Sequence, residues 1–481
     1  MSLGKHTAVN LVGNVLPMAI ALITVPLYLR YIGAERYGVL AVIWALLGYF
    51  GFFDFGFGRA VSQRMARLSN AVDSERSNLL WTALTSTFLL GLLGSLALWA
   101  FADYILTHLI DMSESSRIEA SGAVAWLLLA LPVLLPASVL QGALQARLRF
   151  VELNIIQVLG SALSQLLPLA VAASGHVELQ ALVPAALASR LLTIGLLLMQ
   201  CRHHVPLIGR PLIDHSHLKP MMQYGGWISV ITLLGPLLVT IDRLVIATLS
   251  GSKAVAYYTV PYDLVSRTMV ISGSLSSAIF PRLASAIADH AKDLALRATS
   301  VLVAIMTPVV IVGLFVVHPF LTLWVGEAFA LSSSGVAELI LLGVWINALV
   351  IPHNARLLAA DNPKTVVIIY LIQIPIYFLM LWLGITHWGI VGAAAAWSLR
   401  VLLDTTMLLH VAGALRHTLR VMIPSLILVV SAALVALGTE VHSPMHWAIG
   451  LSLLGLSLLR DKQHLIAALN VIRQRTKLAT P

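Results

Sequence analysis

A single cysteine, Cys201, stands among the 481 residues. That excludes an intramolecular disulfide framework, and it brings no metal-ligand spacing. Charge is scarce as well, with Asp, Glu, Lys and Arg together making up 11% of the chain, against about 25% in an average soluble domain. No Walker A sequence, HExxH or GxSxG occurs and there is no carboxylate-rich loop, so ATP-driven pumping and soluble-type hydrolysis lose support. The 16 histidines form no metal pattern; His203, His204, His215 and His217 read as solvated residues of one loop. Long polar stretches are missing too. The largest polar gaps, 59–78, 102–120 and 201–221, hold roughly twenty residues each, too few for an independent domain. Neither a cofactor nor a metal is expected, and whatever the protein does, it does within its apolar segments.

Those segments dominate. Hydrophobic residues account for 59% of the chain and the mean hydropathy is +0.91, so a soluble reading fails. A helix needs about 20 mostly apolar residues to cross a bilayer, and apolar runs separated by polar breaks meet that length repeatedly. Spans are expected near 9–29, 38–57, 79–101, 121–145, 153–174, 179–200, 222–249, 255–280, 297–323, 336–358, 365–386, 390–411, 419–438 and 445–459. This is an all-α polytopic membrane protein of about 14 transmembrane helices. The first run follows Lys5 and His6 like a signal sequence, but it is long and lacks a small-x-small cleavage site before Arg30. It reads as a retained helix.

The net charge of +9 could point to nucleic acid, but no arginine-rich or aromatic-interleaved surface segment is present. Its placement points to a membrane instead. With the N-terminus inside, the inner gaps and termini hold 22 of the 30 Lys and Arg, and the outer gaps hold only Arg30, Arg36, Arg117 and Lys253. That asymmetry orients both termini toward the cytoplasm. Trp81, Trp227, Trp388 and Trp447, near run ends, fit interfacial belts.

The stretch from Gly225 to Arg282 organises the chain: two apolar helices joined at Gly251-Ser252-Lys253, with Asp242, Arg243, Asp263 and Arg267 inside them. It also opens a weak repeat of the first half, offset by about 216 residues. Tyr31–Gly38 matches Leu249–Ala256, Pro136 falls on Pro352, and Arg190 pairs with Arg400. Six helices per copy is even, so the two copies share an orientation about an axis along the membrane normal. The resulting organisation is an N-terminal six-helix lobe (1–200), a cytoplasmic linker (201–221) and a C-terminal six-helix lobe (222–411). Two additional helices (412–459) and a basic cytoplasmic tail (460–481) follow.

Charge at membrane depth costs at least ~2.5–3.5 kcal/mol per residue, so it faces protein or a wet cavity. Arg190 has no acid on its own helix. It and Arg400 are either anion-binding groups in a central cavity, suited to phosphate by the planar donor fork, or structural arginines tying helices together. Asp263 with Arg267, and Arg400 with Asp404, sit at i,i+4 and share a helix face. They either neutralise each other or hold and release the arginines, with the carboxylates open to a coupling proton. Asp242 and Arg243 point to different faces and fit a rim or hinge contact. Arg30 and Arg36 at the outer mouth, and Arg59 at the inner end of helix 2, could add to the cavity. Asp54 caps or pairs one turn from Arg59. Four helix arginines against Asp242, Asp263 and Asp404 leave a mildly basic interior of +1. Prolines inside the runs, among them Pro26, Pro136, Pro308, Pro352 and Pro375, kink helices and permit bending.

The opening NLVGNVLPMAIALITVPLYLRYIGAERYGVLAVIWALLGYFGFFDFGFGRAVSQRMA resembles bacterial polysaccharide biosynthesis proteins of the O-antigen flippase (Wzx-like) family. The resemblance continues through IDRLVIATLSGSKAVAYYTVPYDLV, IFPRL, LLAADNPK and GIVGAAAAWSLR, nearly the whole chain. Their superfamily also contains MATE-type multidrug exporters and the lipid II flippase. The resemblance implies a two-lobed, V-shaped bundle in the bacterial inner membrane that turns undecaprenyl-pyrophosphate-linked oligosaccharide from the inner to the outer leaflet by alternating access. It further implies membrane lipid, a polysaccharide polymerase and a chain-length regulator as partners. The family has no catalytic motif to carry over, so the site residues rest on the charge argument. A cation-coupled drug exporter is the rival within the superfamily, though organic cations would want a carboxylate-dominated cavity. A membrane glycan polymerase or ligase is the rival from another class, though its outer loops would be larger.

Overall fold

A computed structural model of the chain describes residues 3–50, 54, 56–68, 72–104, 114–205, 208, 210, 213–285, 288–359, 363–438 and 443–463. Helices and short turns are the only elements among the described residues. The chain divides into two compact units, Met1–Ala256 and Tyr257–Pro481. The first holds α1 (Leu3–Phe50), α2 (Phe57–Arg67), α3 (Asp73–Tyr104), α4 (Glu114–Ala146), α5 (Phe150–Ala173), α6 (Leu179–His204), α7 (His215–Ser250) and the start of α8 (Ser252–Ser266). The second holds the rest of α8, α9 (Met269–Ser285), α10 (Ala288–Val325), α11 (Glu327–Ala359), α12 (Pro363–Val411), α13 (Leu415–Gly438) and α14 (Pro444–Arg460).

Among the described residues, eight helices are long and apolar enough to cross a membrane. The burial pattern agrees. Leu93, Leu96 and Trp99 of α3 stand 63%, 62% and 68% exposed, an arrangement that suits lipid and would be costly in water. All-helical spans follow from the solvent, because lipid offers no partner for backbone N–H and C=O groups.

Two features of the repeat are visible in the backbone. α1 is two helices joined at Gly33 (φ 75, ψ 170), and α7 meets α8 at Gly251 (φ 83, ψ 167). These are the glycines that the repeat alignment places on one another, and both hold the same positive-φ conformation, which only glycine adopts without strain. α12 is likewise two helices, joined at Gly389 (φ 58, ψ −139). Beyond that joint they cross so closely that a Cβ on Gly392 would lie 1.9 Å from the Gly384 carbonyl oxygen.

The expected single helix over 255–280 is instead α8 and α9, broken at Arg267-Thr268. Hydroxyls compete with the helical ladder there: Ser266 Oγ donates to the Asp263 carbonyl (3.2 Å) and Thr268 Oγ1 to the Val265 carbonyl (2.7 Å). The backbone follows with i→i+3 bonds, Thr268 N–H to Val265 O at 3.0 Å among them.

In the first unit, a core of Phe57, Val61, Met65, Leu140 and Leu144 packs α2 against α4. In the second, α10 and α11 pack closely, and the buried Trp345 Nε1 donates to Thr307 Oγ1 at 3.1 Å. α13 and α14 also pack on α10, where the Phe315 ring lies 4.7 Å from that of His446.

Candidate functional site

The second unit builds a polar cluster inside its apolar bundle from α12 alone. Its two halves are folded back at Gly389, which brings 373–377 beside 397–404. Gln373 is fully buried, and its Nε2 donates to Asp404 Oδ1 at 2.7 Å. Arg400, 8% exposed, lies with its guanidinium carbon 5.4 Å from the Tyr377 ring centroid and 6.0 Å from that of Trp397. Ser398 fixes the same turn to α11 by donating to the Leu339 carbonyl at 2.7 Å.

Arg400 and Asp404, expected to pair at i,i+4, attract each other but do not meet at ion-pair distance. No ion pair joins them among the described residues; the amide takes the carboxylate and the aromatic rings take the cation. A guanidinium stacked on aromatic faces keeps its in-plane donors available, and Arg400 Nε is buried with no acceptor. Gln373 Oε1 is buried without a donor as well. The cluster offers a planar cation and an amide oxygen to a ligand that can supply an anionic oxygen and a hydroxyl.

Arg190 sits in α6 of the first unit, half-buried, with no hydrogen bond or ion pair among the described residues. Its neighbourhood is tightly packed: Thr193 Oγ1 donates to the Ser189 carbonyl at 2.8 Å, and a Cβ on Gly160 of α5 would lie 2.7 Å from the Thr193 side chain. Arg30 is exposed on α1 and Arg59 is exposed on α2. Asp54 caps α2: its two oxygens accept the amides of Gly56 (2.9 Å) and Gly58 (3.0 Å). Asp242 is fully buried in α7 and accepts the Arg243 amide at 2.7 Å. Asp263 is half-buried on α8, and Arg267 lies in the turn after it, so the two no longer share one uninterrupted helix.

Arg36, expected at the outer mouth, is not a free cation. Its Nη2 and Nε donate to Glu119 Oε1 (2.6 Å) and Oε2 (3.0 Å), and Oε2 also accepts the Leu179 amide at 3.1 Å. One carboxylate thus ties α1, α4 and the start of α6. The hydrogen bond from Arg36 holds the Glu119 carboxyl below its ordinary range and raises the guanidinium.

Two other expectations change. Glu338, in α11 within its apolar span Glu327–Leu357, is half-buried and has no partner among the described residues. Counting it brings the helix charges from +1 to balance when all are ionised. The signal was present in AELILLGVW, where an acid sits just inside the run. His203 and His204 end α6, and His217, 9% exposed, lies in the first turn of α7 with Asp214 Oδ2 at 4.0 Å from its Nε2. Of the four, His203 and His215 are exposed, His204 is half-buried and His217 is buried. Trp227 lies outside the described side chains.

Fold and charges together define a multi-pass membrane protein with a transporter fold. The model of the polysaccharide biosynthesis protein family matches residues 3–287, more than half of the chain, and the chain belongs to that family. A candidate O-antigen transporter of Shigella flexneri is 27% identical over 411 residues, 85% of this chain and 97% of that one. Among solved structures, the lipid II flippase MurJ superposes with a TM-score of 0.74 at 14% identity, covering 96% of this chain and 99% of its own. A multidrug resistance MATE family transporter gives 0.67 at 14% identity, covering 85% and 98%. These likenesses establish the fold.

Proposed function

We propose that the protein moves an undecaprenyl-pyrophosphate-linked oligosaccharide, an O-antigen or exopolysaccharide repeat unit, from the inner to the outer leaflet of the bacterial cytoplasmic membrane. Family membership and the kinship with an O-antigen transporter support the class of cargo. The observation that carries the chemistry is the pair of intramembrane arginines, Arg190 in one unit and Arg400 in the other, neither held in a close ion pair among the described residues. A pyrophosphate needs such cations in a wet cavity, while a polyprenyl tail can stay in lipid. In this reading the lobes 1–200 and 222–411 rock against each other in alternating access, with both termini cytoplasmic. Arg267, Arg30 and Arg59 add positive charge along the route. Asp263, Asp404, Asp242, Arg243 and Asp54 shape or gate it, and an ion gradient drives it.

Deleting the gene and analysing membrane lipids by mass spectrometry, with an impermeant glycan-binding reagent to report the leaflet, tests this directly. The expected result is a complete lipid-linked glycan accumulating on the inner leaflet. Combined Arg190→Ala and Arg400→Ala substitution, at normal protein level, should reproduce the accumulation; untouched translocation would remove the assigned anion site. Normal surface glycan with changed drug susceptibility would favour the exporter reading, for which the unpartnered Glu338 is the supporting feature.

A further inference from the structure

At one end of the second unit, α10 and α11 bring two cations together beside the turn between α12 and α13, and α13 adds an imidazole. Arg356, near the end of α11, donates through Nη2 to the Ala412 carbonyl at 2.5 Å, while its buried Nε has no acceptor. Lys292 of α10 reaches over the same turn: its Nζ lies 3.4 Å from where a Cβ on Gly413 would stand. Gly413, with φ +63, is exposed at this turn. His417, in the first turns of α13, completes the group, and with Arg356 and Lys292 it bears electrostatically on the buried His353 ring. His353 shares its Nε2 with Thr299 Oγ1 at 3.2 Å, but Nδ1 is buried and unpartnered.

No described carboxylate neutralises this group. Asp293, next to Lys292, is taken by Arg297 at 2.8 Å, and Asp289 is exposed. α13 begins at Leu415, so the positive end of its backbone dipole opens at the same turn. Like charges gathered without a counter-ion call for an anion.

The surface beside the turn says which kind. Leu419, Ile423, Ile427 and Leu434 of α13 are 39%, 51%, 62% and 66% exposed. Their spacing draws one apolar stripe leading away from the cations. A soluble anion would have no use for it; an acyl chain would.

We propose that this turn is a headgroup site for an anionic phospholipid, its phosphate held by Lys292, Arg356 and His417 and its chains lying along the exposed stripe of α13. Basic pockets at helix ends are suited to such headgroups. The site is separate from the polar cluster on α12 and stands whether or not the cargo is a lipid-linked glycan.

The test uses the full chain, purified in detergent and freed of lipid, with native mass spectrometry and thermal unfolding as readouts. Phosphatidylglycerol should be retained and raise Tm, whereas phosphatidylcholine and inorganic phosphate should do neither at matched concentration. Lys292→Gln should weaken phosphatidylglycerol binding about fivefold, and adding Arg356→Gln should weaken it further. Arg149→Gln, at an exposed position in the other unit, should leave it unchanged. Lys292 is half-buried and bonds no described group, so its variant keeps the lipid-free Tm and stays interpretable if the double variant does not fold. Equal binding of phosphatidylcholine, an equal effect of inorganic phosphate, or an equal loss in Arg149→Gln would each overturn the proposal.

Discussion

In a chain this apolar, each polar side chain inside a helix must be accounted for, and the accounts differ in kind. Asp54 is consumed by capping, Asp404 by an amide, and Glu119 by Arg36 and a helix-start amide, whereas Arg400 is held by aromatic faces that leave its donors open. Glu119 gives the plainest measurable consequence. Its folded-state carboxyl titrates below the reference value of 4.5, so its contribution to stability is present above that pH and disappears as pH falls through the lowered value. The partners are 32% and 14% exposed at the side chain, so solvent screening limits the pair to about 1 kcal/mol. Glu119→Gln should therefore lower Tm by a few degrees at pH 7. The two proteins' Tm values should converge as pH falls through the lowered carboxyl value. A gap that persists undiminished into acid would mean that packing, not charge, ties α1 to α4.

Among the elements, the joints matter more than the spans. Gly384 and Gly392 let the two halves of α12 cross at backbone contact, and that crossing places Gln373 and Tyr377 beside Asp404 and Arg400. Gly392→Val would put a branched side chain where a Cβ already lies 1.9 Å from a carbonyl oxygen. The halves must part, at a cost of about 1–3 kcal/mol, and the Gln373–Asp404 bond should lengthen with them. A variant that unfolds earlier while Gly195→Val, in open space on α6, does not would locate the effect in the crossing. An unchanged Tm would show that the halves tolerate separation. The apolar runs made nearly all of these helices legible in advance, because length and hydropathy are local properties. The repeat was legible at Gly33 and Gly251 for the same reason: each needs a conformation that one residue type supplies. The break at Arg267-Thr268 was hidden, since it depends on which carbonyls the neighbouring hydroxyls choose. So was the parting of Arg400 from Asp404. Spacing on α12 put them on one face, but Gln373 and Tyr377 come from the other side of a glycine joint that periodicity does not reveal. Glu338 is legible in the sequence, but an acid near the start of an apolar run passes easily for a helix end.

For the whole molecule, the distribution of charge makes a claim that reaches every site discussed. The proposed orientation, drawn from inner segments rich in Lys and Arg, puts the α12–α13 turn on the cytoplasmic side. The same proposal puts the α5–α6 turn, with His176, outside. The chain is well suited to a direct check, because its one cysteine, Cys201, is buried and Cys201→Ser leaves a background free of thiols. In that background His176→Cys should react with a membrane-impermeant maleimide applied to spheroplasts, and Arg416→Cys should react only once the membrane is opened. Both positions flank exposed turns, so accessibility reports sidedness and not burial. The reverse pattern would invert the assignment: the cation cluster at Lys292 and Arg356 would then face the periplasmic leaflet, and an inner-to-outer route would have to start at the Arg36–Glu119 end. Labelling of both from outside would mean that the inner turn is reachable through the protein, which points to an aqueous path open across the membrane in place of alternating access.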